Sequence, residues 1–472
     1  MMILALSACT VPVTPDGRVP PASEGILAPD VIPPPTDSDA ETGRDTQTHT
    51  AADTTDTGEE ESPPRDPAIL PVLLINTDGV GIPSDRKIPG TIAVVEDHTA
   101  DLSNLLSEHQ TWAGPIGIQT HGSSTSGYPK TSYRFECQDR LGADMDCPLA
   151  GMEWGRDWVL RAEYCDHSLM RDALAFWLAR GAAANGGISW QPDTRFVEVF
   201  LNGGYEGVYT LVERVQKDGT RIDVPSWEED RGFIVRVDQH RGAGFDTAMG
   251  TPIDWVDPRA EEVTDAQRSG IRAVFNDFET SLRADGWDDP STGYPTRIAV
   301  ADWVDHYLVN EAAHNIDAYR LSAHLWYGGD TEGLLHAAPV WDFDRSFGNV
   351  NYCDTERVNG WTIDDLTRCG YGGEYPFWWP QLVAEPAFQA ALSDRWGELR
   401  ASLWSDAAID AQLDAWTIQL ALAQPREDHR WHTVGTYIDP NSYVGATWQE
   451  DVDWLREWMR ARAGWLDTQW GD

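Results

Sequence analysis

The segment that most constrains this chain is a pair of β-rich runs joined by Asn202-Gly203-Gly204. Arg195–Leu201 and Gly207–Val215 are dense in Val, Phe, Tyr, Leu and Thr, the residues that suit a pleated, half-buried surface. An Asn-Gly step between such runs favours the positive-φ turn that tight hairpins need. A β-hairpin is therefore expected over 195–215, and a fold without a sheet is excluded.

Other runs extend the sheet. Ile69–Ile75 reads as a first buried strand, Pro115–Thr120 as a second, Lys130–Glu136 as a third and residues 157–162 as another. Within the third, Lys130 and Arg134 are expected on one face, because strand side chains alternate. Gly232–Val237 is expected to lie near the hairpin. Asp166-His-Ser168 is expected to cap a helix reaching about Ala184, and residues 259–284 form an amphipathic helix. From Thr296 the pattern turns mainly helical, with Ile298, Val300, Trp303, Val304, Tyr307 and Leu308 at helical spacing. The class is α+β, β-rich first and helical later.

Charge narrows the partners. With 35 Lys+Arg against 77 Asp+Glu the net charge is −42. That excludes nonspecific nucleic-acid binding and adhesion to anionic membranes, both of which require a basic face. An anionic ligand needs a local pocket with its own cations or a metal ion.

The N-terminus suggests export. Leu6-Ser-Ala-Cys9 closes a short apolar run and resembles a lipobox, so residues 1–8 are expected to be an abbreviated lipoprotein signal peptide with Cys9 as the lipidated residue. Residues 9–68, rich in Pro, Thr, Asp, Ser and Glu, are expected to form a disordered acidic tether, and 69–472 a folded domain. The expected location is extracytoplasmic, on the bacterial membrane or cell surface, with membrane contact only through the lipid. Cys137/Cys147 and Cys353/Cys369 enclose short, turn-rich segments and can pair in an oxidising compartment, leaving Cys165 over. No CxxC spacing points to zinc.

Three carboxylates carry the chemistry. Asp317 follows the helix ending near Asn310–His314. A hairpin, Leu321–Tyr327 with Leu334–Trp341, is then expected to return the chain to Asp342 and Asp344. Its two ends meet, so Asp317 and Asp342 are expected to face each other across a cleft. Clustered oxygen ligands suit Mg²⁺, which completes its shell with water and phosphate oxygens. The Gly/Ser/Thr loop 121–127 offers amides to phosphate, with Lys130 and Arg134 as cationic partners. Arg171 either points into the same cleft or pairs with a nearby acid. Glu213 sits where the hairpin leads into a polar linker.

Together these segments resemble the spore coat protein H (CotH) kinase family. The matching stretches are H-G-S-S-T-S-G-Y-P-K-T-S-Y-R-F at 121–135, D-H-S-L-M-R-D-A-L-A at 166–175 and F-V-E-V-F-L-N-G-G-Y-E-G-V-Y-T-L-V-E-R-V at 196–215. N-E-A-A-H-N-I-D at 310–317 and W-D-F-D-R-S-F-G at 341–348 complete the series. The resemblance implies an atypical, two-lobed protein-kinase-like fold, with a β-rich N-lobe and a mainly helical C-lobe. It also implies binding of ATP and Mg²⁺ and phosphorylation of Ser or Thr on surface or coat proteins. By that resemblance Asp317 is the catalytic aspartate and Asp342 a metal ligand, with Asp344 beside it. Lys130, Arg134 and Glu213 line the nucleotide site. The chain departs from the family at Thr131, where a second basic residue is common. Where kinases place a metal-binding Asn it carries Ser322 or His324. Two other functions stay open: a CotH-fold assembly scaffold without turnover, and a carbohydrate-active surface protein suggested by paired acids and 23 Trp residues.

Overall fold

The hairpin forms where its turn chemistry demands. Asn202 and Gly203 both adopt positive φ, 51° and 80°, the left-handed pair that lets two strands reverse without splaying. In this computed structural model, which describes residues 66–122, 124–239 and 244–471, the flanking strands belong to a larger sheet. Its members are β1 (Val72–Asn76), β2 (Ile88–Val95), β3 (Gln110–His121), β4 (Ser132–Cys137), β5 (Asp157–Arg161), β6 (Thr194–Leu201) and β7 (Gly204–Glu213). The expected signal peptide, Cys9 and nearly all of the tether lie outside the described residues.

These strands close into a barrel in the order β1-β2-β3-β4-β5-β7-β6. The closing contact, β1 with β6, is parallel, with Val72 opposite Glu198. Closure removes the exposed edges that invite aggregation. The interior is a packed core that includes Ile116, Ile118, Phe135, Trp158, Val199 and Tyr209. Alternation sends Arg134 outward, opposite Gln119 on β3 and Val159 on β5. That outer row becomes one wall of the site.

A second sheet has the order β12-β11-β8-β10-β9. It is built from β8 (Phe233–Val237), β9 (Gly244–Asp246), β10 (Pro252–Asp257), β11 (Ala323–Tyr327) and β12 (Leu335–His336). Strand β8, expected near the hairpin, lies at the centre of this second sheet, and Phe233 and Val235 pack in one core cluster with Val208 and Val212 of β7. Phe233, Ile234 and Val235 are fully buried, and β8 takes its partners from β10 and the distant β11. The returning arm of the expected Leu321–Trp341 hairpin pairs only at Trp326↔His336 and Tyr327↔Leu335.

Helices fill the remainder. They are α1 (Arg171–Ala183), α2 (Trp227–Asp230), α3 (Asp265–Leu282), α4 (Val300–Ala313), α5 (Thr362–Arg368), α6 (Trp378–Val383), α7 (Pro386–Arg400), α8 (Asp406–Leu420), α9 (Gln424–Trp431) and α10 (Trp448–Trp470). Helix α1 starts later than expected. The Asp166 carboxylate reaches forward to accept the amides of Ser168 (3.0 Å) and Arg171 (2.8 Å), so the capping residue stands one turn ahead of the helix. Trp303, Trp378, Trp379, Trp396 and Trp404 are fully buried, which places much of the tryptophan content in the core rather than on a sugar-binding surface. Cys137–Cys147 and Cys353–Cys369 are disulfide-linked, and Cys165 is free and buried. Among the described residues no helix is long and apolar enough to cross a membrane. Barrel, second sheet and helices belong to one compact unit, Pro63–Asp472.

Candidate active site

A cavity of about 320 Å³ opens between the outer face of the barrel and the loops that follow α4 and β12. The barrel contributes His121, Arg134 and Arg161; the opposite wall contributes Asp317, Asp342 and Asp344. The three carboxylates expected to converge therefore do so. Asn315 links their segments. Its Oδ1 accepts the amide of Asp317 at 3.0 Å, and its Nδ2 reaches the Asp342 carbonyl at 3.5 Å.

The backbone here is strained. Tyr319, Ser322 and Asp342 have φ of 69°, 49° and 73°, left-handed values that cost a non-glycine residue on the order of 1–3 kcal/mol each. Such residues persist only where surrounding contacts over-determine them. At Asp342 those contacts are visible: the next amide, Phe343, donates to Asp172 at 2.6 Å, and Arg161 Nη2 donates to Asp342 Oδ1 at 2.8 Å.

Arg161 is the electrostatic centre. Besides Asp342 it pairs with Asp172 through Nε, with Glu163 at 3.6 Å and with Asp344 at 4.0 Å. One guanidinium cannot neutralise all of these acids. Burial opposes ionisation of Asp342, but Arg161 outweighs it and holds that carboxyl below its ordinary range. Asp344 takes the consequence: burial and the adjacent Asp342 charge push it up to about 7. Burial, with Asp172 beside it, drives Glu163 well above the carboxylate range, and both its oxygens lack a hydrogen-bond partner. Asp317 is likewise raised by burial, against the pull of Arg320, whose Nη2 donates to it at 2.7 Å. Cys165 Sγ donates to Asp344 Oδ2 at 3.3 Å.

A second cavity, about 670 Å³, shares Gln119, His121, Arg134, Arg236 and Trp341 with the first. It gathers Lys87, Arg214 and Arg259 beside Arg134 and Arg236, a local concentration of positive charge in a chain of net charge −42. The cations depress one another. Burial first, then neighbouring arginines, lower Lys87 to about 8 and Arg134 to about 10. Arg134 Nε is buried without a hydrogen-bond partner.

The remaining candidates divide. Lys130 does not share a strand face with Arg134, because β4 begins two residues later. Lys130 lines the first cavity, yet its fully buried ammonium is held by Glu427 of α9 at 2.7 Å and by the Val208 carbonyl. Glu213 is not among the residues lining either cavity; it accepts the Asp193 amide at 2.7 Å and lies 3.7 Å from Arg221. Arg171 pairs with Asp166 rather than entering the cleft. The loop 121–127 contains a short 3₁₀ turn, Ser124–Gly127, with Ser123 outside the described residues. Ser322 lines the first cavity and His324 the second.

Sequence reading missed Arg161, Glu163, Arg345 and Glu427. Arg161 and Arg345 stood inside segments already singled out, an inner strand and W-D-F-D-R, where a basic residue beside paired acids was the available signal. Glu427 lies 297 residues from Lys130, and no local pattern announces it.

Among the described residues no group of three His, Cys, Asp or Glu side chains is arranged to hold a metal ion. Asp342 and Asp344 still fit a hard cation. Mg²⁺ commonly takes one or two carboxylates and fills its shell with water and phosphate oxygens. A family model described as CotH kinase protein matches residues 118–466, well over half of the chain. No curated protein matches it.

Proposed function

The chain belongs to the CotH kinase family, and from that premise we propose that it is an atypical protein kinase moving a phosphoryl group from ATP to Ser or Thr of a protein acceptor. The observation that carries this reading is the convergence of Asp317, Asp342 and Asp344 on one cleft wall, facing arginines on the other. In this reading the barrel acts as the N-lobe and the helical remainder as the C-lobe.

The residues divide the work. Asp317, raised by burial, takes the proton of the acceptor hydroxyl as its oxygen bonds to phosphorus. The bond from phosphorus to the bridging oxygen breaks, and ADP leaves with that oxygen's electrons. Asp342 and Asp344 would hold Mg²⁺, which when bound neutralises charge on the phosphates. Arg134, with an unpartnered buried Nε, binds phosphate oxygens. Lys130 supports the wall through Glu427 instead of reaching the nucleotide directly.

We place the protein outside the cytoplasm, anchored through Cys9. The two disulfides support that location, because such bonds persist in oxidising compartments. A second reading, a scaffold without turnover, is favoured by one observation: Asp317 and Asp342 are already ion-paired, to Arg320 and Arg161.

Purified protein incubated with labelled ATP, Mg²⁺ or Mn²⁺ and Ser/Thr-containing acceptors separates the two. The kinase reading expects label transfer abolished by Asp317→Ala, and divalent-dependent nucleotide binding lost in Asp342→Ala. Absence of nucleotide binding by the wild type overturns it; binding without transfer leaves the scaffold.

A further inference from the structure

Most cations around the cleft are already committed. Arg161 is engaged by Asp172 and Asp342, Arg320 by Asp317 and Glu374, Arg236 by Asp238 and Asp254, and Lys130 by Glu427. Arg345 differs. It directly follows Asp344, is half-buried and lines the same cavity as Asp317, Asp342 and Asp344. None of the ion pairs among the described residues involves it; the charges of Asp344 and Asp317 act on it through space.

Tyr128 lines the same cavity and spends its own proton on the Asp439 carbonyl at 2.7 Å. A guanidinium carries five N–H donors in a fixed fork, and with no ion pair to satisfy, those of Arg345 can serve a ligand in the cavity.

We propose that Arg345 is a catalytic residue of the phosphoryl transfer, donating to the phosphoryl group while it passes between the nucleotide and the acceptor oxygen. This rests on the kinase reading above. Arg345 directly follows Asp344 at the metal position and lines the same cavity as Asp317, the proton acceptor, and so borders the path of the moving group. Charge spreads over the equatorial oxygens of phosphorus in that transition state, and an arginine supplied within the same chain stabilises it.

The test compares wild type, Arg345→Ala and Arg345→Lys for turnover and for binding of ADP with Mg²⁺ and aluminium fluoride, a mimic of the group in flight. We expect Arg345→Ala to lower kcat by roughly 100-fold or more with the KM for ATP within about threefold, since ground-state contacts are spared. Affinity for the mimic should fall by a similar factor while ADP affinity stays near wild type. Arg345→Lys should recover part of both, and matching thermal melts exclude misfolding. Equal loss of ADP and mimic affinity, or unchanged kcat in Arg345→Ala, overturns the assignment while the kinase reading stands. Failure of the wild type to bind nucleotide overturns both.

Discussion

At the scale of single residues, the site is held by buried charges whose partners lie far apart in sequence. Lys130 and Glu427 are both almost wholly buried and paired at 2.7 Å. Removing one partner strands the other charge in a low-dielectric interior, at a cost of about 3–5 kcal/mol. Lys130→Met should therefore lower stability by that order, and adding Glu427→Gln should restore much of it; denaturant titration of the single and double variants measures the coupling. Additive losses would mean that the pair does not act as a unit. Arg161→Ala should be more damaging, because Asp172, Asp342, Glu163 and Asp344 all lose their shared counter-charge. Its stability should also fall more steeply than that of wild type as pH rises through neutrality, where Asp344 ionises.

At the scale of elements, turn chemistry was legible and sheet partnership was not. Asn202 and Gly203 announced β6 and β7, and the structure gives both residues positive φ. Replacing Gly203 with Ala puts a Cβ into a left-handed position and should cost about 1–2 kcal/mol, visible as a lower denaturation midpoint; Gly203→Asn, which tolerates that region, should cost less. If both variants match wild type, the turn does not specify the hairpin. Strand β8 was recognised as a strand, but its pairing partners were not. Its identity follows from local β propensity, whereas its partner β11 begins 86 residues beyond its last residue. A pairing over such a distance depends on which apolar faces remain uncovered once the barrel has closed.

At the scale of the whole molecule, buried neutral histidines make the fold acid-sensitive. Burial lowers His306 to about 4 and His324 to about 3. Between the ordinary value of 6.5 and these folded values the unfolded chain binds more protons. Stability from these groups is therefore present above pH 6.5 and is lost as pH falls towards 4, by on the order of 3 kcal/mol for each. Raised carboxyls such as Asp344 contribute with the opposite sign, so the informative quantity is a difference. A His306→Gln, His324→Gln double variant should lose less stability between pH 7 and 5 than wild type; identical slopes would refute the assignment. The disulfides act on the unfolded ensemble. Cys353–Cys369 spans 16 residues, and a Cys353→Ser, Cys369→Ser double variant should lose about 2–4 kcal/mol, read by equilibrium unfolding against wild type.

Sequence alone determined the α+β class and the hairpin and pointed to the two cysteine pairs and the acids at 317, 342 and 344, through period-two alternation, a positive-φ dipeptide, short loops and a chain reversal expected to bring one acid back to two others. Only the tertiary structure decided that the β-rich half closes into a barrel, that Arg161 rather than a lysine sits among the acids, that Glu213 stands apart, and that Lys130 answers to Glu427. Those outcomes depend on which charge meets which once two distant surfaces pack. Burial magnifies every such meeting, and burial belongs to the folded chain rather than to any local stretch of it.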